Sequence, residues 1–382
     1  MSITAPAGFR AAGVEAGLKS AGRDVALVIN DGPAYAAAGV FTANRIKAAP
    51  VLWSEQVLTS GRLRAVVLNS GGANACTGPQ GFQDTHATAE QVAGLLDCGA
   101  GEVAVCSTGL IGERLPMDRL SAGIADAGGS LSATGGDDAA DAIRTTDTVP
   151  KTAVATEQGV TVGGMAKGAG MLAPELATML SVVTTDAVAD AETLDRVLRR
   201  AAAVSFDRVD SDGCMSTNDT VLLLASGASG VELDEVSLTA LVTRVCDDLA
   251  RQLIADAEGA SKEVLVEVVG AADTADAMEV ARAVARSNLL KCALHGEDPN
   301  WGRVLSALGT TRAVFEPDAV DVGFGGVWVC RAGSIGDDRA KVDLSGREIT
   351  ITIDLHAGEA TGFVRTNDLT AAYVHENSAY ST

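Results

Sequence analysis

Residues 163–186, GGMAKGAGMLAPELATMLSVVTTD, leave the chain around them few options. The glycines of Lys167-Gly168-Ala169-Gly170 let backbone approach a ligand closely, because glycine carries no Cβ to obstruct it. Pro174 holds the residue before it extended and opposes a helix through the segment. From Met179 the chain reads MLSVVTT, an apolar and β-branched run of strand length. Thr178 stands where the turn meets that run. On spacing alone it is the first residue of a core strand. A threonine hydroxyl becomes an effective nucleophile only beside a base. One solution cuts the chain just before it, so that the freed α-amine is that base. Its pKa of about 7.7–8.0 leaves much of it neutral near physiological pH.

The remainder alternates strand and helix signals. Apolar runs at 24–30, 64–69, 102–106, 220–225 and 264–269 are bounded by Gly, Asp or Asn and predict strands. Residues 84–97, 139–144 and 192–204 are helix-compatible. Residues 235–257 place Leu238, Leu241, Val242, Val245, Leu249 and Leu253 on one helical face, a core stripe. Residues 273–295 predict a second long helix. Residues 154–156 and 160–162 flank a turn and form a hairpin that delivers the chain to Lys167. The glycine-rich residues 128–138 predict a flexible surface connection. From Val320 the pattern shifts to short strands with glycine turns, a smaller C-terminal unit. Such alternation indicates an α/β protein with layered sheets.

Of 382 residues, 47% are hydrophobic and only 3% aromatic, so the core is built from Ala, Val, Leu and Ile. A net charge of −21 offers no basic excess for nucleic acid or an anionic membrane. An anionic small substrate needs only a locally positive pocket. No run approaches the roughly 18 apolar residues of a membrane span. The opening residues MSITAPAGFRAAGVEAGLKS lack a basic start followed by an apolar stretch, so no secretory signal is expected. Seven dispersed cysteines without a C-x-x-C pair predict reduced thiols in a cytoplasmic protein. The four histidines are equally dispersed, and no zinc site is expected. A phosphate-loop reading of the glycine-rich segment fails on order, because Lys167 precedes its glycines and a strand follows.

Two further segments suggest chemistry. NSGGANACTG at 69–78 is a loop of small polar residues suited to lining a site. Residues 107–112, STGLIG, follow a strand, and Thr108-Gly109 can present a hydroxyl and a backbone N–H to one point, as an oxyanion hole requires.

The segment KGAGMLAPELATML resembles the self-cleavage segment of the ornithine acetyltransferases, the bifunctional glutamate N-acetyltransferases of arginine biosynthesis. The resemblance recurs in STG-x-IG, in Thr145-Thr146-Asp147-Thr148, in DAEGASK at 256–262, in DPNWGR at 298–303 and in the closing HENSAYST. Family members usually carry a further asparagine where Gly72 stands. The resemblance implies an α-β-β-α sandwich with a smaller C-terminal α/β lobe at about 290–382. It also implies scission between Ala177 and Thr178 into chains 1–177 and 178–382, assembled as two of each. Thr178 would be the nucleophile, and Thr108 and Gly109 the oxyanion hole. Thr145 (with Thr146 as its alternative), Lys167, Thr178, Glu258, Asn377 and Thr382 would contact substrate, Glu258 taking its amino end. DPNWGR would be structural support. The implied reaction moves acetyl from N-acetyl-L-ornithine to L-glutamate with no cofactor or metal. Use of acetyl-CoA as a second donor differs among such enzymes. An amidase or aminopeptidase with an N-terminal nucleophile, and a non-enzymatic small-metabolite binding protein, are the alternatives.

Overall fold

The computed structural model describes residues 2–173 and 179–379. The described residues form two compact units. The first holds those up to Asp207 and Cys214–Leu253, and the second holds Arg208–Gly213 and those from Ile254 on.

In the first unit the chain runs β1 (Phe9–Val14), β2 (Val25–Asn30), β3 (Ala36–Phe41), α1 (Ala49–Val57), β4 (Ala65–Asn69), α2 (Gly78–Leu96), β5 (Val103–Ser107), α3 (Met117–Gly129) and α4 (Gly136–Ala142). It continues through β6 (Lys151–Glu157), β7 (Val160–Lys167), β8 (Leu180–Thr185), α5 (Ala191–Val204) and β9 (Thr220–Ala225) into α6 (Glu235–Ala255). Two sheets result, in the orders β1-β2-β4-β5 and β3-β9-β8-β7-β6. Their facing surfaces share one buried layer. Ala26, Val28, Val66, Leu68, Ala104 and Cys106 of the first meet Met165, Leu180, Val182, Leu222 and Leu224 of the second.

The intervening residues Leu27, Ile29, Ala65, Val67, Val103 and Val105 turn to the opposite face, where they pack with α2 and α3. This is the two-residue period of a strand. With both faces covered, β2, β4 and β5 are apolar up to their last residue instead of alternating. Beyond the second sheet, α6 lies against β7. A Cβ on Gly164 would come within 2.8 Å of Leu249 and 2.9 Å of Val245, so glycine permits that contact. The stripe from Leu238 to Leu253 is buried, as its spacing requires. The layers are thus helix, sheet, sheet, helix. The connection expected to be loose is pinned, because Ser132 and Ala11 exchange backbone hydrogen bonds of 3.0 Å in both directions.

The second unit runs β10 (Glu263–Ala271), α7 (Thr274–Ala285), α8 (Asn288–His295), α9 (Trp301–Leu308), β11 (Asp321–Phe324), β12 (Val327–Arg331), β13 (Ser334–Ile335), β14 (Glu348–Asp354), β15 (Ala360–Asn367) and α10 (Ala371–Ala379). Its sheet has the order β13-β12-β11-β14-β10-β15, with β10 and β14 parallel. Val264, Val266 and Val268 join Ile349, Ile351 and Ile353 and the inner faces of the helices in one core. The long helix expected over 273–295 is two helices. Ser287 leaves helical geometry, and its hydroxyl caps α8 by accepting from Leu290 N at 3.3 Å. Among the described residues no helix is long and apolar enough to cross a membrane. All seven cysteines are free thiols.

The close contacts at glycine separate two outcomes. A Cβ on Gly13 in β1 would fall 2.0 Å from the Asp138 carbonyl oxygen of α4, whereas one on Gly94 in α2 would meet nothing within 4 Å. Gly13→Ala should destabilise by about 1–3 kcal/mol through overpacking. Gly94→Ala should be neutral or stabilise by about 0.5–1 kcal/mol through reduced backbone entropy. Chemical denaturation of the two variants beside the wild type checks both.

Candidate active site

The parallel strands β4 and β5 end side by side, Asn69 level with Ser107, and Asn69 Nδ2 donates to Ser107 Oγ at 2.7 Å. The two loops that leave them are stitched together. Thr108 N donates to Asn69 O and Gly72 N to Thr108 O, each at 3.0 Å, and Ala73 N donates to Leu110 O at 2.9 Å. The backbone N–H of Thr108 is therefore spent. The Thr108 hydroxyl and the Gly109 N–H are engaged by no other described residue. They are the two donors this turn can offer an oxyanion. Gly109 has φ +130°, and a Cβ there would sit 2.8 Å from Gly72 N, so the turn requires glycine. The departure at Gly72 also has a local consequence. A Cβ at that position would meet Leu115 Cδ2 at 3.0 Å, so a side chain there would press on the neighbouring apolar layer.

Thr145 and Lys167 meet: Lys167 Nζ lies 3.3 Å from Thr145 Oγ1. Asp147 organises them. Its Oδ1 accepts from Lys151 Nζ and from Gly168 N, both at 2.6 Å, and its Oδ2 accepts from Thr145 N at 3.1 Å. The side chains of Asp147 and Lys151 are both wholly buried. Burial pushes the Asp147 carboxyl up. The charges of Lys151 and Lys167 and the hydrogen bonds from Gly168 and Lys151 outweigh it, and hold the group below the usual carboxylate range. Lys167 ends β7 level with Leu180, the first residue of β8. Thr178 and Ala177 lie outside the described residues.

The next residue, Met179, is described. Its N–H donates to Asp219 Oδ1 at 3.1 Å. The adjacent Asn218 donates from Nδ2 to Ser107 O at 2.8 Å and to Ala73 O at 2.6 Å. Two consecutive residues at the foot of β9 therefore hold the donor turn with one side chain and the residue following Thr178 with the other. Burial pushes the Asp219 carboxyl well above its ordinary value, although the Met179 N–H and the charge of Lys167 oppose this.

In the second unit, Glu258 and Asn377 are brought together. Asn377 Nδ2 donates to Glu258 Oε2 at 2.9 Å. The corner that carries Glu258 is fastened to the chain around α10. Thr370 Oγ1 donates to Gly259 O at 2.7 Å, and Asp368 Oδ1 accepts from Ser261 N and Lys262 N at 2.9 Å. A Cβ on Gly259 would fall 2.3 Å from Tyr373 N, so this approach also requires glycine. Lys262 is a structural anchor whose Nζ donates to the carbonyls of Leu344, Ser345 and Gly346. DPNWGR begins α9, where Asn300 caps the helix by accepting from Arg303 N at 3.2 Å. Thr382 lies outside the described residues. No cluster of three His, Cys, Asp or Glu suited to a metal occurs among the described residues.

Sequence reasoning passed over Asp147, Asn218 and Asp219. The available signal was a polar run, STND, directly before the apolar strand β9. Asp147→Asn would leave the Lys151 ammonium buried without a carboxylate and should cost about 3–5 kcal/mol. A depressed carboxyl contributes stability above its unfolded pKa, and that contribution is lost as pH falls through the folded value. The difference in melting temperature between wild type and Asp147→Asn should therefore be full at neutral pH and narrow below about pH 4.

Comparison with known proteins bears on the family of the chain. A model described as the ArgJ family matches residues 10–382. The arginine biosynthesis bifunctional protein ArgJ of Streptomyces coelicolor is 67% identical over 383 residues, covering 100% of both chains. The protein of the same name from Mycobacterium tuberculosis is 60% identical over 391 residues, covering 100% of this chain and 96% of its own. Among solved structures, ornithine acetyltransferase complexed with ornithine from Mycobacterium tuberculosis is 64% identical, covering 47% of this chain and 96% of its own, with a TM-score of 0.45. The Bacillus halodurans arginine biosynthesis bifunctional protein ArgJ is 33% identical, covering 52% and 97%, with a TM-score of 0.50. With a family match along nearly all its length and a relative two-thirds identical from end to end, this chain belongs to the ArgJ family.

Proposed function

We propose that the chain transfers the acetyl group of N-acetyl-L-ornithine to L-glutamate, in cytoplasmic arginine biosynthesis, through an acetyl ester on Thr178. The observation that carries this reading is the pinning at Asn218 and Asp219. It ties the Thr108-Gly109 turn and the residue after Thr178 to one fixed point. An acyl acceptor and an oxyanion hole need that mutual fixity.

The chemistry begins with scission. Thr178 Oγ attacks the Ala177 carbonyl carbon, the amide nitrogen takes up a proton as its bond breaks, and water hydrolyses the resulting ester. Residues 1–177 and 178–382 become separate chains, and Thr178 gains a free α-amine. In turnover that amine accepts the hydroxyl proton as Oγ attacks the acetyl carbonyl. The Thr108 hydroxyl and the Gly109 N–H hold the oxyanion, and ornithine departs with its amine protonated. The amine of glutamate then attacks the ester and restores Thr178. The covalent intermediate divides one hard transfer into two easier ones. Thr145 and the buried Lys167 attract substrate carboxylate, Glu258 takes the amino end, and Asn377 and Thr382 contact substrate as well. The solved Bacillus halodurans chain supports the two-chain form, since 97% of it covers only 52% of this one. The assembly contains two of each chain.

Intact-mass analysis of denatured protein should show two species split before Thr178, the larger carrying one added acetyl after exposure to N-acetyl-L-ornithine. Thr178→Ala should stay uncut and inactive. Thr178→Ser should cut more slowly, because serine lacks the methyl that restricts χ1. An uncut but active wild type would overturn the mechanism. Acetate release instead of N-acetylglutamate would make the protein an amidase. A parallel assay with acetyl-CoA establishes whether it is a second donor.

The donor turn has its own test. Thr108→Ala removes one of the two donors and should lower kcat by about 10²–10³-fold with the fold intact. Unchanged turnover in that variant would remove Thr108 from the oxyanion hole.

A further inference from the structure

Asp219 is an expensive way to satisfy a backbone N–H. It precedes β9, which pairs in parallel with β8 so that Thr220 stands level with Leu180. Thr220 N donates to Met179 O at 3.1 Å in the ordinary manner of a ladder. The carbonyl of Asp219 points elsewhere and accepts from Thr42 N at 3.0 Å. The Met179 N–H is therefore taken by the Asp219 side chain, at Oδ1, and not by main chain. Asp219 is wholly buried, and its Oδ2 has no hydrogen-bond partner among the described residues. A buried carboxylate without compensating partners is strongly unfavourable, so an ordinary strand end would not place one there.

We propose that Asp219 is a positioning residue for Thr178, acting through the Met179 N–H as an uncharged carboxylic acid in both scission and acetyl transfer. This rests on Thr178 being the nucleophile. Burial raises the carboxyl well above its ordinary value and so favours the acid form, and Lys167 at the end of β7 is the charged side chain that opposes it. The hydroxyls of Ser216 and Thr42 act on it in the same direction as Lys167 and do not reverse the effect. The acid form suits the task. It accepts at one oxygen, fixing the peptide that follows the nucleophile, and adds no negative charge beside a carbonyl that must itself become an oxyanion.

Two substitutions separate shape from charge. Asn in place of Asp219 retains a neutral acceptor at Oδ1 and a donor in place of the acid proton. Asp219→Leu keeps the approximate volume and removes both. With melting curves confirming the fold, Asp219→Asn should lose less than about tenfold in scission rate and kcat. Asp219→Leu should lose on the order of 100-fold in both, with KM little changed, the cost of a misplacement of ~1 Å. Scission and kcat near wild type in Asp219→Leu would overturn the proposal. So would an Asp219→Asn variant as impaired as Asp219→Leu, since an ionised carboxylate would then be needed. Should Asp219→Leu fail to fold, the pH profile decides. Wild-type scission should fall as rising pH ionises the acid, whereas Asp219→Asn should keep its rate over the same range, and coincident profiles would overturn the proposal. A wild type left uncut at every pH overturns the Thr178 reading and this proposal with it, whereas normal scission in the wild type and in Asp219→Leu alike overturns this proposal only.

Discussion

The buried carboxylate of Asp147 is the contact on which the first unit's chemistry depends. It gathers Thr145 N from the loop after α4, Lys151 Nζ from the start of β6 and Gly168 N from just past the end of β7. A buried ion pair is weak evidence of stabilisation, since desolvation offsets most of its attraction. Its effect here is geometric. A threonine-rich turn and a glycine-rich strand end acquire one relative position, with Lys167 beside Thr145. The same lysine also acts on Asp219. One ammonium thus lies within the influence of two buried acids, of which Asp147 is held ionised and Asp219 is driven towards neutrality.

Net charge describes this protein poorly at the scale of its buried side chains. At −21 the whole chain repels polyanions. Lys151 and Lys167 are nonetheless almost fully buried, where low polarisability strengthens their fields and salt screens them little. In the second unit Lys291 is buried as well, its pKa pushed down to about 8 chiefly by desolvation. It donates to Ser211 O and to Thr366 Oγ1, tying a loop to a strand. An acidic surface and a few enclosed cations are compatible, because they act over different distances.

What could be read from sequence was what neighbours in sequence decide. The β-branched runs that became β2, β4, β8 and β9 and the apolar stripe of α6 reflect local periodicity. The helix expected over 273–295 was broken by one capping serine, a choice that periodicity does not register. Residues 128–138 were pinned by Ser132 pairing with Ala11, a partner more than a hundred positions away. Partners on other elements, from 21 positions away for Asp147 to 111 for Asn218, likewise hid Asp147, Asn218 and Asp219. Each is an ordinary polar residue in a polar run, and only the folded chain shows that Asn218 reaches Ser107 while Asp219 reaches Met179. Motif resemblance located Thr108, Gly109, Lys167 and Glu258 in sequence without revealing what fixes them. It also could not reveal that the Thr108 N–H is already occupied by Asn69, so that the hydroxyl and not the N–H is left unengaged among the described residues.

The strand order β3-β9-β8-β7-β6 interleaves the two halves of the chain. Strands β8 and β9 come from after Thr178, and they lie between β3 on one side and β7 and β6 on the other, all from before it. Opening the peptide bond at Thr178 would therefore divide a polypeptide without dividing a sheet. The fragments could part only by breaking the ladders on both flanks, which amounts to unfolding the core. Unfolding would then release two molecules where an uncut chain releases one, so apparent stability would come to depend on protein concentration. Refolding would become a second-order encounter between fragments, and persistence of the working enzyme would be governed by how slowly it comes apart. A molecule that matures in this way folds once as a single chain and thereafter relies on the height of its unfolding barrier.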